Sequence, residues 1–243
     1  MIQGQIIAIG GGGFSEGSEP GLDTYILEQC QTSKPKIGFI GTASGDAESY
    51  RLKFYTRFSQ LNCQPSHLTF FRRTPDLADW VKQQDAIYVG GGNTLSLLAI
   101  WEAWGLPPLL QEAAKNGTIL AGVSAGAVCW FESALTDARA DALGPLKCLN
   151  FIAGSCCPHY SLEAERKPTF EKFVTTGDLP PGIAIDDGAA GHFVDGQLKR
   201  VVSGQDGATA YRVMQRSEGA ISQRLDHAEV LRVFAQEPSA KPT

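Results

Sequence analysis

The sequence predicts an α/β protein, a doubly wound and mostly parallel sheet flanked by helices, with a C-terminal β-hairpin region. Three observations carry this. Short apolar runs alternate with helical patterns through the first half of the 243 residues, the β-α-β rhythm of a parallel sheet. Runs such as Ile6-Ile7-Ala8-Ile9 and Ile37-Gly38-Phe39-Ile40 lack polar alternation, as strands covered on both faces do. After Pro180-Pro181-Gly182 the pattern changes to short strand-like segments separated by glycine turns.

Taken in order, strands are predicted over residues 5–9, 36–40, 67–71, 86–89 and 118–123. Helices are predicted over 22–30, 49–61 and 77–83, and over 94–116 with a break at Gly105-Leu106-Pro107-Pro108. Ala127-Val128-Cys129-Trp130-Phe131 reads as the start of another helix. A further helix over 168–175 has Pro168 suited to its first position, where the missing N–H costs nothing. Strand-like segments follow at 183–186, 190–194, 198–202 and 208–214, and Asp195-Gly196 is a hairpin signal between two of them. No linker composition, repeat or low-complexity stretch divides the chain, so residues 1–243 are expected to form a single domain with a frayed tail over 236–243.

A chain of this length buries roughly 70–75% of its unfolded surface and needs no staple. Hydrophobic residues make up 43% and charged residues 19%, with a net charge of −5 and no basic run longer than Arg72-Arg73. Nucleic acid and anionic membrane are therefore poor partners, whereas a small peptide suits this charge. The N-terminus has no basic segment leading into a long apolar one, and no run approaches the length of a membrane span. A cytoplasmic protein is expected, and a homodimer is compatible with the sequence. The six cysteines show no C-x-x-C spacing, so buried reduced thiols are expected, with no metal and no organic cofactor.

Gly122-Val123-Ser124-Ala125-Gly126 follows the apolar run Thr118-Ile119-Leu120-Ala121. A G-x-S-x-G at a strand-to-helix junction is a nucleophile elbow, a tight turn that holds a serine hydroxyl clear of the backbone. Glycines flank it because a side chain there would strike the neighbouring elements. A second glycine motif, Gly90-Gly91-Gly92-Asn93-Thr94, joins the strand at 86–89 to the next helix. It reads as a tight turn with Asn93 or Thr94 as helix cap, and equally as a loop whose N–H groups approach a substrate oxygen. Gly92 N–H with Ala125 N–H would make a two-point oxyanion hole. The run Gly10-Gly11-Gly12-Gly13 fails the dinucleotide spacing, since the third glycine position falls on Ser15 or Glu16. It reads as a flexible loop over the sheet end.

A nucleophilic serine needs a base. Of the four histidines, His67 at a strand start reads as structural and His227 as surface turn. His159, in Cys157-Pro158-His159-Tyr160, leaves an apolar element, where functional groups are presented, and is favoured over His192 inside a hairpin strand. The orienting carboxylate is Asp137 or Asp141, or else Asp186 or Asp187 at the end of a strand. Adjacent strand residues face opposite ways, so only one of the last two can serve the site.

Val89-Gly90-Gly91-Gly92-Asn93-Thr94, Gly122-Val123-Ser124-Ala125-Gly126-Ala127, Pro158-His159-Tyr160-Ser161 and Ile185-Asp186-Asp187-Gly188, in that order, resemble the S51 serine peptidases. These include the aspartyl dipeptidases called peptidase E, and the cyanophycinases. The resemblance covers about residues 5–215 and implies a fold like that of class I glutamine amidotransferases. It implies Ser124 as nucleophile, His159 as general base, and Gly92 and Ala125 as oxyanion donors, with Asn93 beside them in the substrate-binding loop. The third triad position, usually a glutamate, falls on Asp187. Arg166 lies where peptidase E holds the substrate's aspartate side chain. The chain order Ser–His–Asp also differs from the Ser–Asp–His order of an α/β-hydrolase. The implied activity is hydrolysis of short peptides, as dipeptides, with the N-terminal residue aspartyl where the resemblance to peptidase E holds. The rival readings are an amidase, esterase or cyanophycinase-like enzyme on the same scaffold, and a ligand-binding protein that keeps the pocket.

Overall fold

The computed structural model describes residues 2–139, 142–217, 219–225 and 230–232, the last three by backbone alone. The first half follows the alternation read from the sequence. The elements are β1 (Gln5–Ile9), α1 (Pro20–Glu28), β2 (Lys36–Ile40), α2 (Glu48–Phe58), β3 (Gln64–Leu68), α3 (Leu77–Lys82), β4 (Ala86–Val89), α4 (Thr94–Ala103), α5 (Leu106–Lys115), β5 (Ile119–Val123) and α6 (Ala125–Val128). The predicted break between α4 and α5 falls at Gly105, which takes the left-handed conformation at φ 66°. Pro107 follows in the first turn of α5, where proline costs no hydrogen bond.

The second half contains β6 (Phe131–Thr136), β7 (Gly144–Lys147), β8 (Ile152–Cys157), α7 (Arg166–Thr176), β9 (Gly182–Ile185), β10 (Ala189–Val194), β11 (Gln197–Ser203), β12 (Ala210–Arg216), β13 (Gly219–Arg224) and β14 (Val230–Arg232). Eight strands form one sheet in the order β14-β11-β10-β1-β5-β4-β2-β3, and six form a second in the order β13-β12-β9-β8-β6-β7. In the first, β1, β5, β4, β2 and β3 run parallel, and β10 closes antiparallel on β1. β10 and β11 pair antiparallel across Asp195-Gly196.

Four expectations are corrected. The single sheet is two, because β8 and β9 pair with β6 and β12 and not with the central strands. The helix after the elbow is one turn, and Phe131 already belongs to β6. The strand expected at 67–71 lies at Gln64–Leu68, where Pro65 is accommodated because β3 is an edge strand. Pro168 is the third residue of α7 and not the first. Asp141, His227 and the tail over 236–243 lie outside the described residues.

Alternate residues of β1 enter different layers. Ile6 and Ala8 pack with Val89, Leu97 and Trp101. Ile7 and Ile9 pack with Phe39, Phe54 and Tyr88 on the other face. This is the period-2 geometry of a strand covered on both sides. A third cluster joins α7 to the second sheet through Tyr160, Phe170, Val174, Leu179 and Val213. The carboxyl ends of β1, β4 and β5 thus open beside the ends of β8 and β9, and the candidate site lies there.

Candidate active site

Ser124 follows the last residue of β5 in a strained backbone conformation, φ 53° and ψ −117°. The strain is borne by its surroundings. Ser124 N–H donates to Ile9 O on β1 at 3.0 Å, and Ser124 O accepts from Ala127 and Val128 N–H. A β-carbon on Gly122 would collide with Gly126 O, and one on Gly126 with Val89 O. Both glycines of the motif are required because the turn packs backbone on backbone.

His159 follows β8 and is also left-handed, at φ 53°. Its Nε2 lies 2.9 Å from Ser124 Oγ and its Nδ1 lies 2.7 Å from Asp187 Oδ1. A carboxylate can only accept, so Nδ1 carries the proton and Nε2 is left to accept the serine hydroxyl. The His159 and Asp187 side chains are each 14% exposed, which keeps water from competing for either bond. Asp187 is held by its main chain: it bridges to Gly11, Gly188 N–H donates to Gly11 O at 2.9 Å, and Gln205 Nε2 donates to Asp187 O at 3.2 Å.

Asp186 faces the other way. Its Oδ2 accepts Thr209 N–H at 3.2 Å, and burial raises its carboxyl above the usual range. Asp137 pairs instead with Arg166. His192 is buried, with Nδ1 2.7 Å from the Tyr25 hydroxyl and Nε2 2.9 Å from Gln5 Oε1. Burial lowers its pKa to about 4. His67 sits between Tyr55 and Arg51 on α2. The structure therefore brings Ser124, His159 and Asp187 together and keeps the other candidates apart.

Gly92 has φ 135°, and a β-carbon on it would strike Ala43 O. Among the described residues the Gly92 and Ala125 N–H groups make no hydrogen bond within the chain. Asn93 caps α4, its Oδ1 accepting Ser96 N–H at 2.9 Å while its Nδ2 donates to Ala138 O at 2.8 Å. Both ends of that amide are occupied. Arg166 is 2% exposed, donating from Nε to Glu163 Oε2 at 2.6 Å and from Nη1 to Leu135 O, with Asp137 at 3.7 Å. It makes no contact with the three central residues.

Sequence reasoning missed Gly11. The Gly10–Gly13 run reads as a flexible loop, yet all four glycines are buried and Gly11 lies against Asp187 and His159. Its position at the carboxyl end of the first strand was the available signal. All six cysteines are free thiols, four buried and Cys30 and Cys148 partly so. Burial raises their pKa values, to about 12 for Cys30 and Cys148, so they stay protonated. Among the described residues no group of three or more His, Cys, Asp or Glu could hold a metal ion, and no helix is long and apolar enough to cross a membrane.

A model of Peptidase family S51 matches residues 6–201. The chain belongs to peptidase family S51. This S51 chain is 51% identical over 212 residues to the Bacillus subtilis (strain 168) protein named "Uncharacterized peptidase YgaJ", covering 86% of this chain and 92% of that one. It is 31% identical over 175 residues to "Peptidase E" of Shewanella sp. (strain W3-18-1), covering 68% and 73%. Family and relatives make it a serine-type peptidase. Among solved structures, a peptidase from an acI-B1 Actinobacterium matches at TM-score 0.70 and 20% identity, covering 92% of this chain and 94% of that one. A putative peptidase E from Listeria monocytogenes EGD-e matches at TM-score 0.57 and 20% identity, covering 93% and 100%. At that identity the two structures speak to the fold alone.

Proposed function

We propose that this S51 peptidase cleaves short peptides through Ser124, His159 and Asp187. The observation that carries the reading is the unbroken relay from Ser124 Oγ through both ring nitrogens of His159 to Asp187 Oδ1, set on an elbow with the serine at φ 53°. Strained non-glycine residues persist where surrounding structure holds them, and they concentrate at functional sites.

In the proposed reaction Ser124 Oγ attacks the scissile carbonyl while His159 Nε2 takes its proton. Asp187 keeps the proton on Nδ1 and stabilises the imidazolium. The Gly92 and Ala125 N–H groups receive the developing oxyanion, each worth about 10²–10³ in rate. Collapse expels the amine, which takes the proton from Nε2. Water then attacks the acyl-enzyme, giving a proton to His159, and the second collapse returns that proton to Ser124.

The core sheet and its elbow are read as a class I glutamine amidotransferase-like scaffold. Selectivity for an N-terminal aspartate through Arg166 is the finer part of the proposal. The guanidinium already holds Glu163, whose side chain is 47% exposed, so a substrate carboxylate would take that place. Asn93 serves the site by capping α4 and so fixing the loop that carries Gly92. A dipeptide-library hydrolysis screen tests the reading. Release of free amino acids from a subset of dipeptides is expected; ester cleavage without any peptide cleavage would overturn it.

A further inference from the structure

The loop Gly90–Asn93 carries four main-chain N–H groups, and three are spoken for. Gly90 N–H donates to Ile40 O at 3.0 Å and Asn93 N–H to Ala43 O at 2.8 Å. Gly91 N–H donates to the Tyr50 hydroxyl, 3.1 Å away on α2. Only Gly92 N–H has no acceptor among the described residues, and Gly92 is exposed. Backbone donors away from water are almost always paired, so this pattern selects one donor out of four.

The Tyr50 bond lies beside the nucleophile. A β-carbon on Gly91 would sit 3.4 Å from Ser124 Cβ and 3.9 Å from Oγ. The tyrosine is itself held. Its hydroxyl lies 2.6 Å from Ser15 Oγ, in the short 3₁₀ turn Gly13–Ser15 that follows the buried glycine run. Its ring packs against Phe14 at 5.6 Å and Phe39 at 5.2 Å. With its oxygen accepting from Gly91, the phenol has its own proton to give to Ser15. Gly90 completes the fit, since a β-carbon on it would lie 2.8 Å from Tyr50 Cε1.

We infer that Tyr50, held by Ser15, is a positioning residue for the oxyanion hole: by taking the Gly91 N–H it fixes the loop so that the Gly92 N–H faces the substrate carbonyl at Ser124. The inference rests on the proposed peptidase chemistry. Tyr50→Phe keeps the ring and its packing but leaves the Gly91 N–H without its acceptor, so the loop is free to turn either donor toward the site. A donor that must be reoriented during the reaction loses much of the benefit of preorganisation.

The test measures dipeptide turnover and the rate of phosphonylation of Ser124 by a fluorophosphonate, whose phosphoryl oxygen needs the same hole. Tyr50→Phe is expected to lower kcat and the phosphonylation rate together, by about 10- to 100-fold, with KM within about threefold and the melting temperature nearly unchanged. Ser15→Ala is expected to lower both rates by a smaller factor, and guards against a Tyr50 variant that folds poorly. Unchanged rates in Tyr50→Phe, or a loss that tracks only KM or melting temperature, would overturn the inference. A wild-type protein that is phosphonylated but cleaves no peptide would defeat the peptidase reading instead, and the labelling ratio would still decide the role of Tyr50.

Discussion

Gly11 lies so close to Asp187 that a β-carbon on it would overlap the carboxylate Oδ1 and fall 2.8 Å from His159 Nδ1. The missing side chain is what lets the carboxylate and the imidazole meet under the end of β1. The backbone at Gly11 lies outside the left-handed region, so alanine is conformationally allowed there and the consequence is steric. Gly11→Ala should cut kcat by about 10²-fold or more, as a displacement near 1 Å in a catalytic group does, with KM little changed. Steady-state kinetics beside a melting curve check this, and a fully active Gly11→Ala would contradict it.

The two adjacent aspartates should behave differently. Asp187→Asn replaces the acceptor that fixes the His159 tautomer and should lower kcat by about 10²–10⁴-fold. Asp186→Asn keeps an oxygen for Thr209 N–H and relieves a buried charge, so kcat should stay within about twofold. Parallel kcat measurements on the two variants decide the assignment, and the opposite ranking would exchange their roles.

Arg166 separates selectivity from chemistry. If it holds the acidic side chain of a substrate, Arg166→Ala should abolish any preference for Asp-Xaa over Ala-Xaa dipeptides while Ala-Xaa turnover persists. The ratio of kcat/KM values for matched pairs measures this. An unchanged ratio would leave Arg166 to its partners within the chain, Glu163 and the Leu135 carbonyl.

Two buried groups away from the site oppose each other in pH. Burial pushes Asp23 up to about 6 from its ordinary 3.8, despite its bond to Arg57. A raised folded pKa gives stability that is complete below pH 3.8 and lost as the pH rises through 6. Burial, helped by Arg200, lowers His192 from 6.5 to about 4. That stability is complete above pH 6.5 and lost as the pH falls through 4. Each amounts to roughly 3 kcal/mol, so the two nearly cancel. Relative to wild type, His192→Asn should gain stability on acidification across this window, and Asp23→Asn should lose it. Urea unfolding at pH 4, 5 and 6.5 reads the slopes; variants whose slopes match wild type would refute the pairing.

Much of this was legible in the sequence, and the failures have physical causes. β1, β2 and β4 fall on the predicted residues because a buried parallel strand is an uninterrupted apolar run between breakers. The elbow and the glycine loop at 90–93 were legible because close backbone packing admits only glycine at Gly122 and Gly126 in the first and at Gly92 in the second. The segment 127–131 is apolar throughout, and such a run cannot distinguish a helix from a strand. Its end at Phe131 is set by pairing with β8, a partner remote in sequence. The glycine run at 10–13 misled for a related reason. Composition reports the freedom of an unfolded chain, whereas Gly11 is fixed by the side chains crowded against it.

The most direct test of the account is intact-mass analysis after treatment with a fluorophosphonate, run alongside a dipeptide hydrolysis assay. A single adduct mapped to Ser124 is expected in the wild type, with peptide turnover lost in step. A folded Ser124→Ala is expected to show no adduct and no turnover. Peptide hydrolysis that survives in Ser124→Ala, or a wild type that turns over peptide without ever acquiring the Ser124 adduct, would contradict it.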